Sequence, residues 1–598
     1  MLHLRFLRSS WFIWGGVLVL YALLILPTVG RQGVSWDEQN DLWVAQAYLV
    51  PPAGLLVGSD VDPSQTRLPM AAVALFYRLL GVSDLITARL VSCLVGGLTL
   101  LAVYIYCRKR YQPRTGVLAC LLLATSPFFL SFARVAFTET DIYLACAFAW
   151  LLVAMDDFQA CPTPVRGAVV GVLLGLSLSA KFTAMAVLPA VWYAFFQSHV
   201  PALEKGLPQV KSSSLIFWGA WSFAFTFGGV ILAYNLLAER GSGASQFALY
   251  IPVLIAWFIP LSWCLIHRAA VAPRLAQAFF ITGLALLTFL ILPPEHLTNP
   301  AILQSLLWRA QNELAINPGF MFEAAGLHIG SLIFKSGPLI GIGLFLSLLL
   351  TTAQWRNKPE ARFPVLLVLF YFGGLLLLPL AQTFYIVPLL PILAIFAADQ
   401  FLHLFSRRRF VAIGLACLAV ILWGIDYDLS HPDYNLNGYQ WLGKRVIFGR
   451  SSIGYRSIVQ TPSDGVEQVI QYLNEHAKAG DRVRSYLLEW HIIQAVASNP
   501  AYRIEDGFLA PYPTPEYMGV EIYRYFVDNS PFAPPRPDPD FVVVEINTQV
   551  RQSWWANVSK GDVFQPPYNP AWLTKNYNRV FTVRRAFGIE MASVWKKK

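Results

Sequence analysis

For its first 425 residues the chain alternates long apolar runs with short polar joints, and then it changes character. A helix needs about 20 apolar residues to cross a bilayer. Runs of that order lie near 11–29, 85–106, 115–133, 139–155, 166–180, 182–198, 214–237, 248–266, 274–292, 331–352, 363–380, 385–402 and 409–425. This pattern predicts a polytopic α-helical membrane protein with about 13 transmembrane helices. Two joints are long, 30–68 and 293–330, and the stretch 69–80 predicts a helix lying at the interface. Residues 426–598 predict a C-terminal soluble α/β domain. There, 464–478 has helical periodicity ending at Gly480, and strand-like runs follow at 482–488 and 541–546. Residues 579–587 and 589–596 predict a closing hairpin, and the prolines between Pro531 and Pro539 mark an irregular loop. The organisation expected is therefore a transmembrane domain, 1–425, with outer loops 30–68 and 293–330, followed by an extracytoplasmic α/β domain, 426–598.

Charge placement tests this segmentation. With the N-terminus and its Arg5 and Arg8 in the cytoplasm, every basic joint falls on the same side. These joints hold Arg108, Lys109, Arg110 and Arg114, then Lys205 and Lys211, His267, Arg268 and Arg274, Arg356 and Lys358, and Arg407 to Arg409. An odd number of spans then puts the C-terminal domain outside. The setting expected is a multi-pass protein of the plasma (inner) membrane.

Composition agrees. The chain is 56% hydrophobic and 13% charged, where soluble domains carry about 25% charge. The net charge of +10 is accounted for by the short basic joints, so no nucleic-acid partner is expected, and membrane lipids are. No small-residue cleavage site follows the first apolar run, which reads as a retained helix. The seven cysteines lie in or beside apolar runs with no metal-ligand spacing, so neither a structural disulfide nor a zinc site is expected. No phosphate-cradling glycine loop and no repeat of 20–50 residues is present.

The candidate chemistry gathers on the outer side. Asp37 and Glu38 stand where the chain first leaves the membrane, in Arg31-Gln-Gly-Val-Ser-Trp-Asp-Glu-Gln-Asn-Asp41. Nothing about folding in lipid requires acids there. An exposed carboxylate at a membrane surface can take the proton of an attacking hydroxyl. The plainer role for Asp37 is a helix N-cap ahead of residues 40–48, and Asp41 shares its face one turn on. A second acidic cluster, Thr138-Glu139-Thr140-Asp141, opens a later span. Thr138 with Asp141 also fits a capping box, which accounts for Asp141 better than for Glu139. Arg134 and Lys181 are cations at the outer ends of spans, where they either snorkel to the interface or bind phosphate. His296 and His328, with Glu295 and Glu323, fit no metal motif, and surface histidines are more often plain residues than ligands. Asn557-Val-Ser559 has the glycosylation-acceptor pattern.

These motifs, in this order and on this side, resemble the polyprenyl-phosphate-sugar-dependent glycosyltransferases of the C-type membrane fold. Among them the chain is similar to the protein O-mannosyltransferase and lipid A aminoarabinose transferase group. The motifs are Trp36-Asp37-Glu38, Arg134-Val-Ala-Phe-Thr138-Glu139, Gly175-Leu-Ser-Leu-Ser-Ala-Lys181-Phe182-Thr183 and Phe384-Tyr385-Ile-Val-Pro388-Leu-Leu-Pro391. The resemblance covers most of 1–425. It implies a C-type glycosyltransferase fold and an enzyme that moves a sugar from a polyprenyl phosphate to an acceptor hydroxyl on protein, lipid or glycan. It further implies inversion with Asp37 as base, seconded by Glu38. Glu139 or Asp141 would orient acceptor or sugar, and Arg134, Lys181 and Tyr385 would bind the donor phosphate. No nucleotide or other cofactor is implied, and metal is expected to be absent from the site. One position departs: the family has a basic residue before the Tyr of the last motif, and here it is Phe384. Another cation, Arg309 or Arg67, would then replace it. The competing class is a transporter or flippase of lipid-linked sugars. Transporters carry repeats and midplane charges, whereas this chain sets its acids at one surface.

Overall fold

The computed structural model describes residues 10–29, 44–45, 48–49, 68–134, 140–197, 272–292, 321–355, 357–377, 384–404, 466–478, 480–485, 503–506, 538–545, 570–584 and 590–598. The expected spans 214–237, 248–266 and 409–425 lie outside them. The described part of the first 425 residues is helical. Its helices are α1 (Ser10–Ile25), α2 (Leu68–Leu80), α3 (Leu85–Arg110), α4 (Pro113–Ala124), α5 (Pro127–Arg134), α6 (Asp141–Ala160), α7 (Pro164–Ala180), α8 (Leu188–Gln197), α9 (Ala272–Ile291), α10 (Met321–Lys335), α11 (Pro338–Ala353), α12 (Arg362–Leu377) and α13 (Leu390–Leu404). Among the described residues, α3 and the segment Val387–Leu404 are long and apolar enough to cross a membrane. The bent pair α4–α5 makes a third if counted as one span.

Two expected spans are broken, each for a local reason, and a third opens irregularly. The run 115–133 is α4 and α5, bent by 67°. Pro127 lacks an N–H and crowds the preceding turn, while Thr125 turns its hydroxyl back to the Leu121 carbonyl. The run 331–352 breaks at Ser336-Gly337, where Gly337 has φ +90°. Residues 321–330, read from the sequence as loop, belong to α10. Between 180 and 188 the chain leaves α7 at extended Lys181 and makes a 3-10 turn, Phe182–Val187, before α8. The helix expected at 69–80 is α2, whose Met70, Val73, Ala74 and Tyr77 are buried.

α6 and α7 are consecutive antiparallel helices, and Asp141 and Lys181 stand at their adjoining ends. α7 also packs on α9 through a glycine ladder, Gly167, Gly171 and Gly175. A Cβ at Gly175 would lie 2.5 Å from the Ala285 carbonyl oxygen and 2.5 Å from Thr288 Cβ. Small residues at this spacing let helix backbones approach closely in lipid. Gly175→Val is therefore expected to destabilise the protein by ~1–3 kcal/mol through overpacking, seen as earlier thermal unfolding in detergent. Gly343→Ala, at a position with open space around it, should leave the unfolding temperature unchanged.

Among the described residues, two of the basic joints form ion pairs with neighbouring helices. Lys109 binds Asp157 at 2.8 Å, Arg110 pairs with Asp156, and Lys358 binds Asp399 at 2.6 Å.

The C-terminal stretch contains a five-stranded sheet of β1 (Arg482–Ser485), β2 (Arg503–Asp506), β3 (Phe541–Glu545), β4 (Tyr577–Arg584) and β5 (Glu590–Lys597) in the order β2-β1-β3-β5-β4. The first three strands are parallel, and β5 joins β3 and β4 antiparallel. Helix α14 (Val466–His476) brings Val469 and Leu473 onto one face, against Phe541 and Val543. Helix α15 (Pro570–Asn576) brings Leu573 onto the other, against Val542 and Val544. Burial on both faces is why β3 reads Phe-Val-Val-Val without alternation.

Candidate functional site

The antiparallel pairing of α6 and α7 decides which residues meet. At 1.5 Å per residue the two helices run about 30 and about 26 Å, so the start of one lies beside the end of the other. Asp141 is the first residue of α6, and Lys181 follows the last residue of α7. Lys181 Nζ donates to Asp141 Oδ2 at 2.8 Å. The carboxylate is fully buried and the lysine side chain is 13% exposed. A third segment enters from 384–389. The Lys181 ammonium lies 4.0 Å from the Tyr385 ring centre and 5.4 Å from that of Phe384, within cation–π range. Two residues on, Thr183 Oγ1 and the Tyr371 hydroxyl are 3.1 Å apart, tying the 3-10 turn to α12.

Arg134 ends α5 and is 1% exposed. A cation is well placed at a helix C-terminus, where the backbone dipole is negative. The same helix touches the Tyr385 segment through Phe132, whose ring lies 5.7 Å from Phe384. The ends of α5, α6 and α7 and the 384–385 segment therefore converge. Phe384 serves as an aromatic face for Lys181 and Phe132.

The capping-box reading of Thr138 with Asp141 is corrected. The N-cap is Thr140, which makes no side-chain cap bond, and Asp141 is the first helical residue with its carboxylate given to Lys181. Thr140 sits at φ +57°, the one non-glycine residue with positive φ among those described. A β-branched residue pays strain there, and such strain is concentrated at functional sites.

Two buried polar atoms here have no partner among the described residues, Asp141 Oδ1 and Ser179 Oγ. Native interiors leave few such groups unsatisfied. A carboxylate oxygen suits a donor such as a hydroxyl.

Of the residues expected at the site, the structure joins Asp141, Lys181 and Tyr385, and buries Arg134 on the adjoining helix. Asp37, Glu38, Glu139, Arg67 and Arg309 lie outside the described residues, as do Glu295 and His296. His328 is not a surface histidine. It is fully buried on α10 beside Phe372, and neither ring nitrogen has a partner among the described residues. Reading the sequence missed Arg89, 1% exposed, whose Nη1 donates to the Val29 carbonyl at 2.8 Å. The available signal was a lone arginine one turn inside a long apolar helix, an expensive position unless it is bonded. Among the described residues no three His, Cys, Asp or Glu side chains gather in a way that would hold a metal.

The arrangement is a buried acid–base pair set on aromatic rings among apolar helices. Residues 65–221, which include Arg67, Arg134, Glu139, Asp141 and Lys181, match the family described as dolichyl-phosphate-mannose-protein mannosyltransferase. Over that stretch the chain is similar to a family of glycosyltransferases that use lipid-linked sugars. No curated protein matches the chain in sequence. Among solved structures, the oligosaccharyltransferase of Archaeoglobus fulgidus with Zn and sulfate is 14% identical, with a TM-score of 0.44 over 97% of this chain and 72% of that one. ArnT from Cupriavidus metallidurans, bound to undecaprenyl phosphate, is 14% identical, with a TM-score of 0.43 over 98% of this chain and 97% of that one. At TM-scores below 0.5 neither likeness bears on the fold or the chemistry.

Proposed function

We propose that this protein transfers a sugar from a polyprenyl-phosphate donor to an acceptor hydroxyl at the extracytoplasmic face of the plasma (inner) membrane. The observation that carries the reading is the buried Lys181–Asp141 pair over Tyr385, with one carboxylate oxygen left for a ligand. The acceptor oxygen attacks the anomeric carbon while the bond from that carbon to the phosphate oxygen breaks. Asp37 takes the hydroxyl proton, and attack opposite the leaving phosphate inverts the centre. Arg134 and Lys181 stabilise the departing phosphate with charge-assisted hydrogen bonds, joined by Tyr385 and by Arg67 or Arg309 in place of the family's basic residue. Asp141 Oδ1, with Glu139, accepts hydroxyls of the sugar or acceptor and orients them. Glu38 supports Asp37. In this reading residues 1–425 form the catalytic domain, with the N-terminus cytoplasmic and 426–598 outside as an α/β domain.

The test is reconstitution of the full chain with a panel of polyprenyl-phosphate sugars, read as release of free polyprenyl phosphate. Release that depends on Asp37 is expected. Movement of intact donor across the bilayer without cleavage would instead make the protein a flippase. The mechanism needs no metal, so EDTA is expected to leave the rate within twofold, measured on the same preparation with and without added divalent cations.

A further inference from the structure

Lys181 stands between two elements. Its N–H closes the last turn of α7 on the Ser177 carbonyl at 3.0 Å. Its carbonyl accepts the Ala184 N–H at 3.1 Å, which opens the 3-10 turn Phe182–Val187. Such a turn has poorer hydrogen-bond geometry than an α-helix and holds its place weakly on its own. Lysine adds a flexible four-carbon stem. Where the ammonium points therefore depends on what holds the turn.

α12 holds it at two points on one face. Tyr371 and Gly374 are three residues apart on that helix and so share a side. The Tyr371 hydroxyl and Thr183 Oγ1 lie 3.1 Å apart, one donating to the other. At Gly374 a Cβ would lie 2.5 Å from Ala186 Cβ, so α12 comes this close to the turn because a glycine is there. Tyr371 also reaches α6. Its ring meets Phe148 edge-on with centres 5.2 Å apart. Phe148 lies seven residues along α6 from Asp141, two turns on and on the same face. Tyr371 is fully buried, and its hydroxyl lies within electrostatic reach of Asp141. One residue of α12 thus touches both the helix that carries the acid and the turn that follows the lysine. A phenylalanine would fill the same space, so the hydroxyl adds a direction to the packing.

We propose that Tyr371 and Gly374 are positioning residues for the transfer reaction, fixing the turn after α7 so that the Lys181 ammonium is set against Asp141 and Tyr385. The inference rests on the proposed role of Lys181 at the departing phosphate and adds two residues that act through it. A displacement of about 1 Å in such a group can cost about a hundredfold in rate. A packing role alone would lower stability and leave Lys181 as it is in the wild type.

The full chain is tested as wild type, Tyr371→Phe, Gly374→Ala, and Gly374→Ala combined with Ala186→Gly, after each is shown to be folded by its elution and thermal unfolding. Gly373→Ala, at a neighbouring glycine with open space around it, is the control and should match wild type. Tyr371→Phe keeps the ring against Phe148 and is expected to lower kcat by ~3- to 10-fold, with KM for the polyprenyl-phosphate sugar little changed. Gly374→Ala should lower kcat by ~10- to 100-fold. Adding Ala186→Gly removes the opposing methyl and should restore most of it. A second readout needs no turnover. Acetylation of Lys181 by acetic anhydride, followed by mass spectrometry, should be slow in the wild type, where the ammonium is held by a buried carboxylate. It should accelerate several-fold in Tyr371→Phe and Gly374→Ala and slow again in the double variant. Wild-type kcat or wild-type acetylation in Tyr371→Phe overturns the proposal, and so does a loss in Gly374→Ala that Ala186→Gly leaves unrepaired. The two readings fail separately. Full activity of Lys181→Met would remove the lysine from the phosphate, and acetylation would still decide whether α12 fixes the turn. An inactive Lys181→Met beside a fully active Tyr371→Phe would sink the positioning role alone.

Discussion

Asp37→Asn is expected to lower sugar transfer by ~10²- to 10⁴-fold, the usual contribution of a general base, with the protein still folded. The amide has nearly the shape of the carboxylate and keeps an acceptor oxygen, so hydrogen bonds of a cap would survive the change. It cannot take up a proton, so the hydroxyl would have to attack while still protonated. The two roles open to Asp37 therefore separate in one variant. A cap alone predicts a small loss of stability and full activity, whereas a base predicts the reverse. Donor release would be followed together with the anomeric configuration of the product by NMR. Activity within threefold of wild type would remove Asp37 from the chemistry, and retention of configuration would replace single inversion by a double displacement. Glu38→Gln should cost less than Asp37→Asn, since its neighbour keeps the base.

The second large effect is expected at the buried pair. Lys181→Met leaves the Asp141 carboxylate buried without its cation. Removing one partner of a buried ion pair typically costs ~3–5 kcal/mol, so unfolding should occur at clearly lower temperature. Activity should be lost as well, because the ammonium is assigned to the leaving phosphate. Lys181→Met combined with Asp141→Leu removes both charges and should recover much of the stability, since an apolar replacement of a buried pair is often neutral or better. It should not recover activity. A double variant that is both stable and active would make the pair purely structural, and the donor phosphate would have to be held elsewhere.

The motifs of this site were legible because they are costly. Carboxylates, a lysine and an arginine beside apolar runs stand out against lipid, where every unpaired charge is penalised. Legible in the same way were the strands of the C-terminal sheet, since β1, β3 and the β4–β5 hairpin fall on runs of strand-forming residues. What the pattern concealed were the breaks. Proline and glycine inside a hydrophobic run change hydropathy little, yet Pro127 and Gly337 split two expected spans. The capping box concealed something else. Thr138 and Asp141 have the right spacing, but a carboxylate that can reach a lysine 40 residues away is worth more as half of an ion pair than as a cap.

His328 and Arg89 show the remaining limit. Each is a single polar residue with no motif around it, and hydropathy cannot say whether such a residue faces solvent or the interior. His328 was expected at the surface and is fully buried. Arg89 stood out only as a lone arginine in an apolar helix, and its partner, the Val29 carbonyl, lies 60 residues away.

The sequence by itself determined that the chain is built of apolar helices with short basic joints, and it set out acids and cations in a glycosyltransferase-like pattern. Those properties follow from residue type and spacing, because transfer into lipid is decided residue by residue. Only the tertiary structure decided that Asp141 meets Lys181 over Tyr385, that Phe384 offers Lys181 a ring, and that Arg89 donates to the Val29 carbonyl. Those depend on how α3, α5, α6 and α7 pack. Such packing is set by backbone approach at glycines and by helix breaks, both of which act between segments far apart in the chain.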